Sequence, residues 1–161
     1  MTDDTLSRSA QRVRDALEQA GVTPAVRELA ASTRTAEDAA AAIGCTVAQI
    51  AKSLVFEDAE SGDLVLVIAS GSNFVDLDAV HRATDLRLKK VKGSIVKRRV
   101  GFAIGGVPPV GHTERLRTLL DRDLRALDQI WAAAGTPHAV FPLDPDQLEA
   151  LTGGEWLHLA S

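Results

Sequence analysis

With 161 residues, 45% of them hydrophobic and 25% charged, the chain has the composition of one globular domain with enough apolar material for a sizeable core. A single cysteine, Cys45, excludes an internal disulfide and a cysteine-clustered zinc site, and makes a reducing cytoplasm the expected compartment. The acidic start Met1-Thr2-Asp3-Asp4 lacks the basic residues and apolar run of a secretory signal, and no apolar segment approaches the roughly 18 residues needed to span a bilayer, so no membrane partner is expected.

In chain order, Leu6, Ala10, Val13, Leu17 and Ala20 recur at helical spacing, predicting a helix over Thr5 to Ala20 that Gly21 stops. Val22-Thr23-Pro24 reads as a connector, and Val26 to Leu29 alternates as a strand with one exposed face would. Thr35-Ala36-Glu37-Asp38 has the form of a capping box opening an alanine-rich helix that ends at Gly44, and Thr46 to Gln49 repeats the signal for a second short helix. Ser53 to Phe56 and Leu64 to Ala69 form a predicted hairpin around the turn Glu60-Ser61-Gly62-Asp63. After the loop Ser70-Gly71-Ser72-Asn73, either Asp76 or Asp78 can cap a helix running through Val80 and Ala83. Gly93 breaks the next stretch before a short helical segment, and Phe102-Ala103-Ile104 reads as a short strand leading into a loop, Gly105 to His112. Strands are expected at Leu116–Leu120, Ile130–Ala134, Ala139–Phe141 and Trp156–Leu159, with a helix from Pro145 to Leu151 capped near Asp144. Without repeats, a domain boundary or strict βαβ alternation, the pattern predicts a single mixed α/β domain over residues 1–161, its mixed sheet or barrel flanked by helices.

Net charge is −4, which over the whole molecule argues against a nucleic-acid partner, DNA included. The distribution changes that argument. From Arg87 to Arg99 lie seven basic residues and no acid, leaving 11 basic against 22 acidic residues elsewhere. Lys89, Lys90, Lys92, Lys97, Arg98 and Arg99 thus form a stripe suited to phosphates on one face, or equally a solvated helix and loop.

Chemistry concentrates in Gly105-Gly106-Val107-Pro108-Pro109-Val110-Gly111-His112. Glycines allow a ligand close to the main chain while prolines hold the loop in one shape, so several N–H groups can be aimed at one oxygen. Pro108 and Pro109 donate nothing, so the donors must be glycines, Val107 or Val110; a tight surface turn has the same composition. Lys52, at the entry to an apolar strand, could present its ammonium to a pocket or simply snorkel to solvent. His112 could carry a proton or donate to a ribose, or serve as a structural donor. His81, His138 and His158 lack metal-ligand spacing, Cys45 reads as a small buried hydrophobe, and no nucleophile elbow, P-loop or dinucleotide fingerprint is present.

Taken in order, Thr35-Ala36-Glu37-Asp38-Ala39-Ala40, Ile50-Ala51-Lys52-Ser53-Leu54-Val55-Phe56, the strand ending in Ala69-Ser70-Gly71, Val91-x-Gly93 and Gly101 to His112 resemble the YbaK family and the insertion domain of bacterial prolyl-tRNA synthetases. Gly135-Thr136-Pro137, Phe141-Pro142-Leu143 and Leu148 to Leu151 extend the likeness, which covers residue 10 to the end. The resemblance implies a mixed, barrel-like sheet flanked by helices, and a trans-acting deacylase that hydrolyses the ester of mischarged tRNA, often tRNA for proline carrying alanine or cysteine. It matches Lys52 to the family's active-site lysine and Gly105-Gly106-Val107-Pro108-Pro109 to its Gly-x-x-x-Pro loop. Lys52, Gly105 and Gly106 would then be catalytic, and Ser53, Ser70, Gly71, Val107, Pro108, Pro109, Gly111 and His112 would contact substrate. No metal, cofactor or nucleophilic side chain is implied. The partner would be aminoacyl-tRNA, with a synthetase such as prolyl-tRNA synthetase as a docking platform. Where many relatives carry a charged run after the Ser-Gly pair, this chain has Ser72-Asn73-Phe74-Val75-Asp76. A tRNA- or synthetase-binding module without catalysis, and a hydrolase of another small ester or thioester, are the rival readings.

Overall fold

The computed structural model describes residues 7–23, 25–30 and 35–160. The first helix, α1 (Arg8–Gln19), begins at Ser7, whose hydroxyl accepts from the Ala10 N–H, and buries Ala10, Val13 and Leu17 along one stripe. Its predicted start at Thr5 lies outside the described residues. A two-residue strand, β1 (Arg27–Glu28), precedes α2 (Ala36–Ile43), where Thr35 accepts from the Asp38 N–H and Gly44 closes the helix at φ 88°. The second predicted short helix is a single 3-10 turn, Val47–Gln49, held by a reciprocal Thr46–Gln49 capping box.

The strands that follow are longer than their apolar cores suggest: β2 runs over Ile50–Asp58 and β3 over Leu64–Ser70, paired antiparallel from Ala51↔Ser70 to Glu57↔Leu64. Asp76 is the cap of α3 (Leu77–Thr84), accepting from the Asp78 and Ala79 N–H groups. The basic stripe divides between a short strand, β4 (Leu88–Lys90), and α4 (Gly93–Val100). Then come β5 (Arg117–Asp121), a 3-10 turn (Arg122–Ala126), β6 (Ile130–Ala133), β7 (Ala139–Leu143), α5 (Pro145–Thr152) and β8 (Glu155–Leu157). The predicted strand at Phe102–Ile104 is absent. Gly101 ends α4 in the left-handed region, Phe102 turns inward as a buried plug, and the Gly106 N–H closes a turn onto the Ala103 carbonyl. An apolar triplet there marks burial of one ring, not a strand.

The eight strands form one mixed sheet in the order β1-β7-β6-β2-β3-β5-β8, with β4 added on β2. Its central strand β3 is buried on both faces. Leu64, Leu66 and Ile68 pack with α1, α4, Phe102 and Leu148 of α5, while Val65 and Val67 meet Val80 of α3 and Leu159. At roughly 1.5–3 kcal/mol for each fully buried aliphatic side chain, β3 anchors both faces of the sheet. A third cluster joins Ala39 and Ala40 of α2 to Ile50, Trp131 and Val140, and thereby sets the wall of the site. Among the described residues no helix is long and apolar enough to cross a membrane.

Candidate active site

The site arises from an interruption in strand pairing. Along one edge β2 pairs with β3 throughout; along the other, β6 pairs only Ile50 and Ala51 and β4 only Phe56 to Asp58. The Asp58 N–H and the Ile50 carbonyl bond toward the β3 side, so by strand alternation the backbone groups of Ser53 and Val55 point the other way, into the gap. A cavity of about 180 Å³ opens there, between Lys52, Ser53 and Leu54 of β2, Trp131 to Ala133 of β6, the cap Thr35 with Ala36 and Ala39 of α2, and Ile104 with Gly105 and Val107 of the glycine-rich loop that follows it. Ser53 Oγ is buried without a hydrogen-bond partner among the described residues. Such an orphan hydroxyl is uncommon in a folded chain.

Lys52 belongs to β2 itself, two residues inside the strand, with its side chain reaching out to the cavity edge. Its Nζ donates to the Asn73 carbonyl at 2.6 Å and stands 5.2 Å from the centre of the Phe74 ring. One of three ammonium donors is thus used, leaving two for a ligand. Burial pushes the Lys52 pKa below the ordinary lysine value, while the carboxylates of Glu37 and Asp121 partly oppose that shift. The segment that receives Lys52 is itself pinned. Asp121, buried at the end of β5, accepts from the Ser70 N–H and from Asn73 Nδ2, which also donates to Asp123.

The glycine-rich loop divides into two halves. Gly105 and Val107 face the cavity; Gly106, Pro108 and Pro109 are buried behind it. The Gly106 N–H already donates to Ala103, and its carbonyl accepts from the Gly135 N–H. A Cβ on Gly106 would lie 2.7 Å from the Thr136 backbone, so this glycine serves close packing. Among the described residues the N–H groups of Gly105 and Val107 have no backbone acceptor, and both residues line the cavity. Pro109, Gly111 and His112 instead border a separate surface depression with Glu114 and Arg115. His112 Nε2 lies 2.6 Å from the Pro108 carbonyl, and burial lowers its pKa although that carbonyl favours the charged ring. At the loop's base Arg12 of α1 donates to the Gly101 carbonyl and stacks 4.4 Å from the centre of the Phe102 ring.

The structure therefore brings Lys52, Ser53, Gly105 and Val107 together around one cavity and places Gly106, Pro108 and Pro109 as its support. Ser70 and Gly71 lie outside the lining: Ser70 Oγ donates to the Ala48 carbonyl, and a Cβ on Gly71 would collide with the Val47 carbonyl and the Ala36 side chain. Cys45 is half-buried beside α2, where burial raises its thiol pKa. In the basic stripe, Lys89 pairs with Glu57 at 3.2 Å and Arg99 with Glu114 at 2.8 Å, whereas Lys90, Lys92, Lys97 and Arg98 extend to solvent. Sequence reasoning marks Asn73 and Phe74 only as part of the segment that departs from relatives, and assigns no role to Ile104 or Asp121. Phe74 carries a signal, an aromatic ring set in a polar turn; Asp121 carries none, since its role depends on pairing between distant strands.

The site is thus a small cavity opened by a gap in the pairing of a mixed sheet, bordered by Lys52 and the glycine-rich loop. Residues 30–151 match the family model described as the aminoacyl-tRNA editing domain, and the chain belongs to that family. A crystal structure described as a candidate trans-editing enzyme for prolyl tRNA synthetase is 46% identical, superposes with a TM-score of 0.90, and is matched over 97% of this chain and 99% of that one. A protein from work on grafting linear epitopes onto scaffolds is similar at 44% identity and a TM-score of 0.89, with the same coverage. The uncharacterised protein YwhH of Bacillus subtilis (strain 168) is 29% identical over 123 residues, 76% of this chain and 78% of its own length.

Proposed function

We propose that this chain hydrolyses the ester joining a wrongly attached small amino acid to tRNA, tRNA for proline in the first instance, and that it acts in trans. The observation that carries the reading is that Lys52 and the glycine-rich loop residues Gly105 and Val107 border one cavity of about 180 Å³. That volume is below the roughly 300–1,000 Å³ of sites that enclose drug-sized ligands, and suits an aminoacyl group with its nucleotide left outside.

An aminoacyl ester is already reactive, so the protein has to orient a water and stabilise the charge that develops. Water attacks the ester carbonyl carbon, and the carbonyl oxygen becomes the oxyanion of a tetrahedral intermediate facing the Gly105 and Val107 N–H groups. The intermediate collapses by breaking the bond to the ribose oxygen, which takes up a proton as the free amino acid leaves. Lys52 supplies positive charge at the ribose and phosphate side. Specificity for tRNA for proline would come from the acceptor stem or from docking on prolyl-tRNA synthetase.

The test is release of amino acid from alanyl-, cysteinyl-, seryl- and threonyl-tRNA, on tRNA for proline and on one other tRNA, with Lys52→Ala beside the wild type. Release from one or two members that falls about 100-fold or more in the variant is the expected result, the scale on which removal of a preorganised electrostatic group acts. Tight tRNA binding with no release above the spontaneous rate would instead identify a binding module.

A further inference from the structure

Three large hydrophobic side chains are exposed among the described residues: Phe74 at 83%, Ile104 at 59% and Leu77 at 36%. Two of them bear on the cavity, one in its lining and one beside its lysine. Ile104 lines it, and Phe74 holds its ring 5.2 Å from the ammonium of Lys52. We infer that Phe74 is a stacking platform for the terminal adenine base of the tRNA whose ester enters the cavity, an inference that rests on the editing function proposed above.

Four observations converge. First, the ring is held out by a rigid frame and is not at the tip of a loose loop. On one side Asn73 donates its backbone N–H to Ser70 and its side chain to Asp121 and Asp123; on the other, Val75 bridges to Ala160 and the Asp76 N–H donates to Leu159. A ring carried on a pinned backbone loses less freedom on binding than one on a loose loop. Second, the cavity is too small to hold an adenosine together with an aminoacyl group, so a base attached to that ribose must lie outside, at the rim. Third, Lys52 links the two places. It stands on the cavity edge and against the Phe74 ring, which puts ribose and base within one nucleoside's reach of each other. Fourth, the charge around the rim suits a polyanion. The Ile104 side chain lies 3.4 Å from where a Cβ on Gly93 would sit, so the start of α4, with the exposed Lys90 and Lys92 just before it, adjoins the cavity mouth. An exposed aromatic ring beside a basic track is the arrangement by which proteins hold unpaired nucleotides, the base stacking on the ring and the backbone following the charge.

The experiment compares binding of uncharged tRNA for proline ending in CCA with the same tRNA truncated to CC, for wild type, Phe74→Ala and Phe74→Trp. Wild type and Phe74→Trp should prefer the complete end by about 5- to 150-fold, the range in which loss of one aromatic stacking partner acts, and Phe74→Ala should bind both forms nearly alike. In turnover with mischarged tRNA, Phe74→Ala should raise KM by a similar factor and leave kcat within about twofold. Equal wild-type affinity for the two ends, or an intact preference in Phe74→Ala, overturns the inference while the editing function stands. A Phe74→Ala protein that keeps the preference but no longer co-sediments with prolyl-tRNA synthetase would reassign the ring to a protein contact. Absence of both tRNA binding and ester release in wild type would overturn the editing function along with it.

Discussion

Asp121 shows how a buried residue remote from the cavity can govern Lys52. One carboxylate oxygen accepts from Ser70 and Asn73 while the other accepts from the Asp123 N–H, so all three bonds depend on both oxygens. Asparagine would replace one acceptor with a donor facing donors. Asp121→Asn should therefore cost about 1.5–3 kcal/mol in urea unfolding, the range for hydrogen bonds to a charged group, and loosen the segment whose Asn73 carbonyl holds Lys52. An unchanged midpoint would show that the network adds nothing to stability. His112 supports a prediction about pH. Its folded pKa is lowered by burial, so the unfolded chain takes up the proton first, at about pH 6.5. Below that value the unfolded state binds more protons, and stability falls as pH drops toward the folded pKa. Stability contributed by the neutral ring is complete above about pH 6.5 and is lost in acid. The denaturation midpoint of His112→Gln should drop less between pH 7.5 and 5.5 than that of wild type, whatever its value at neutrality.

At the level of elements, the glycine-rich loop works as a unit because its neighbours hold it. Gly106 lies against the backbone of Thr136, and its carbonyl accepts from the Gly135 N–H, so the segment after β6 acts as its template. Gly106→Ala should shift the loop and lower deacylation about 10-fold or more, because the added Cβ would stand 2.7 Å from backbone atoms of Thr136, which cannot rotate away as a side chain can. Gly105→Ala meets no close atom but keeps φ at 91°, at a cost of about 1–2 kcal/mol, and should be the milder of the two in both stability and rate. Equal effects would show that backbone conformation, not packing against Thr136, controls the loop. The contrast also marks what the sequence could disclose. That Gly105 to His112 is stiff and open on its backbone follows from residue types alone. Which glycine meets the ligand and which meets Thr136 does not, because that depends on a contact about 30 residues away in the chain. The strand expected at Phe102–Ile104 fails for the same reason: hydrophobicity records that Phe102 is buried, and only the left-handed Gly101 and the stacked Arg12 decide that it is buried as a plug.

On the scale of the whole molecule, the mixed class, most of the strands and the position of Lys52 near an apolar strand are legible, since local periodicity and capping residues encode them. The gap in the pairing of β2, from which the cavity follows, is not, because it depends on where β4 and β6 stop along a shared edge. Charge behaves in the same divided way. Composition locates a basic stripe on an acidic chain, but the fold sorts its members. Lys89 and Arg99 are engaged with Glu57 and Glu114, while Lys90 and Lys92 stand exposed ahead of α4 and Lys97 and Arg98 sit exposed on it. If the stripe tracks the tRNA backbone, these two groups should respond differently. Reversing an exposed residue, as in Lys92→Glu or Lys97→Glu, takes away one cation that neutralises a phosphate. Affinity for tRNA should then fall, and the slope of log affinity against log salt should shrink by about one for each phosphate no longer neutralised. Lys89→Glu places a like charge beside Glu57, so its effect should appear mainly as lower stability, with a smaller change in salt slope. Filter binding between about 50 and 200 mM salt separates the two, because phosphate neutralisation is read in the slope while a folding defect lowers affinity at every salt concentration alike. Identical slopes for all three variants and wild type would remove the stripe from the RNA interface and leave the cavity mouth as the sole point at which tRNA is held.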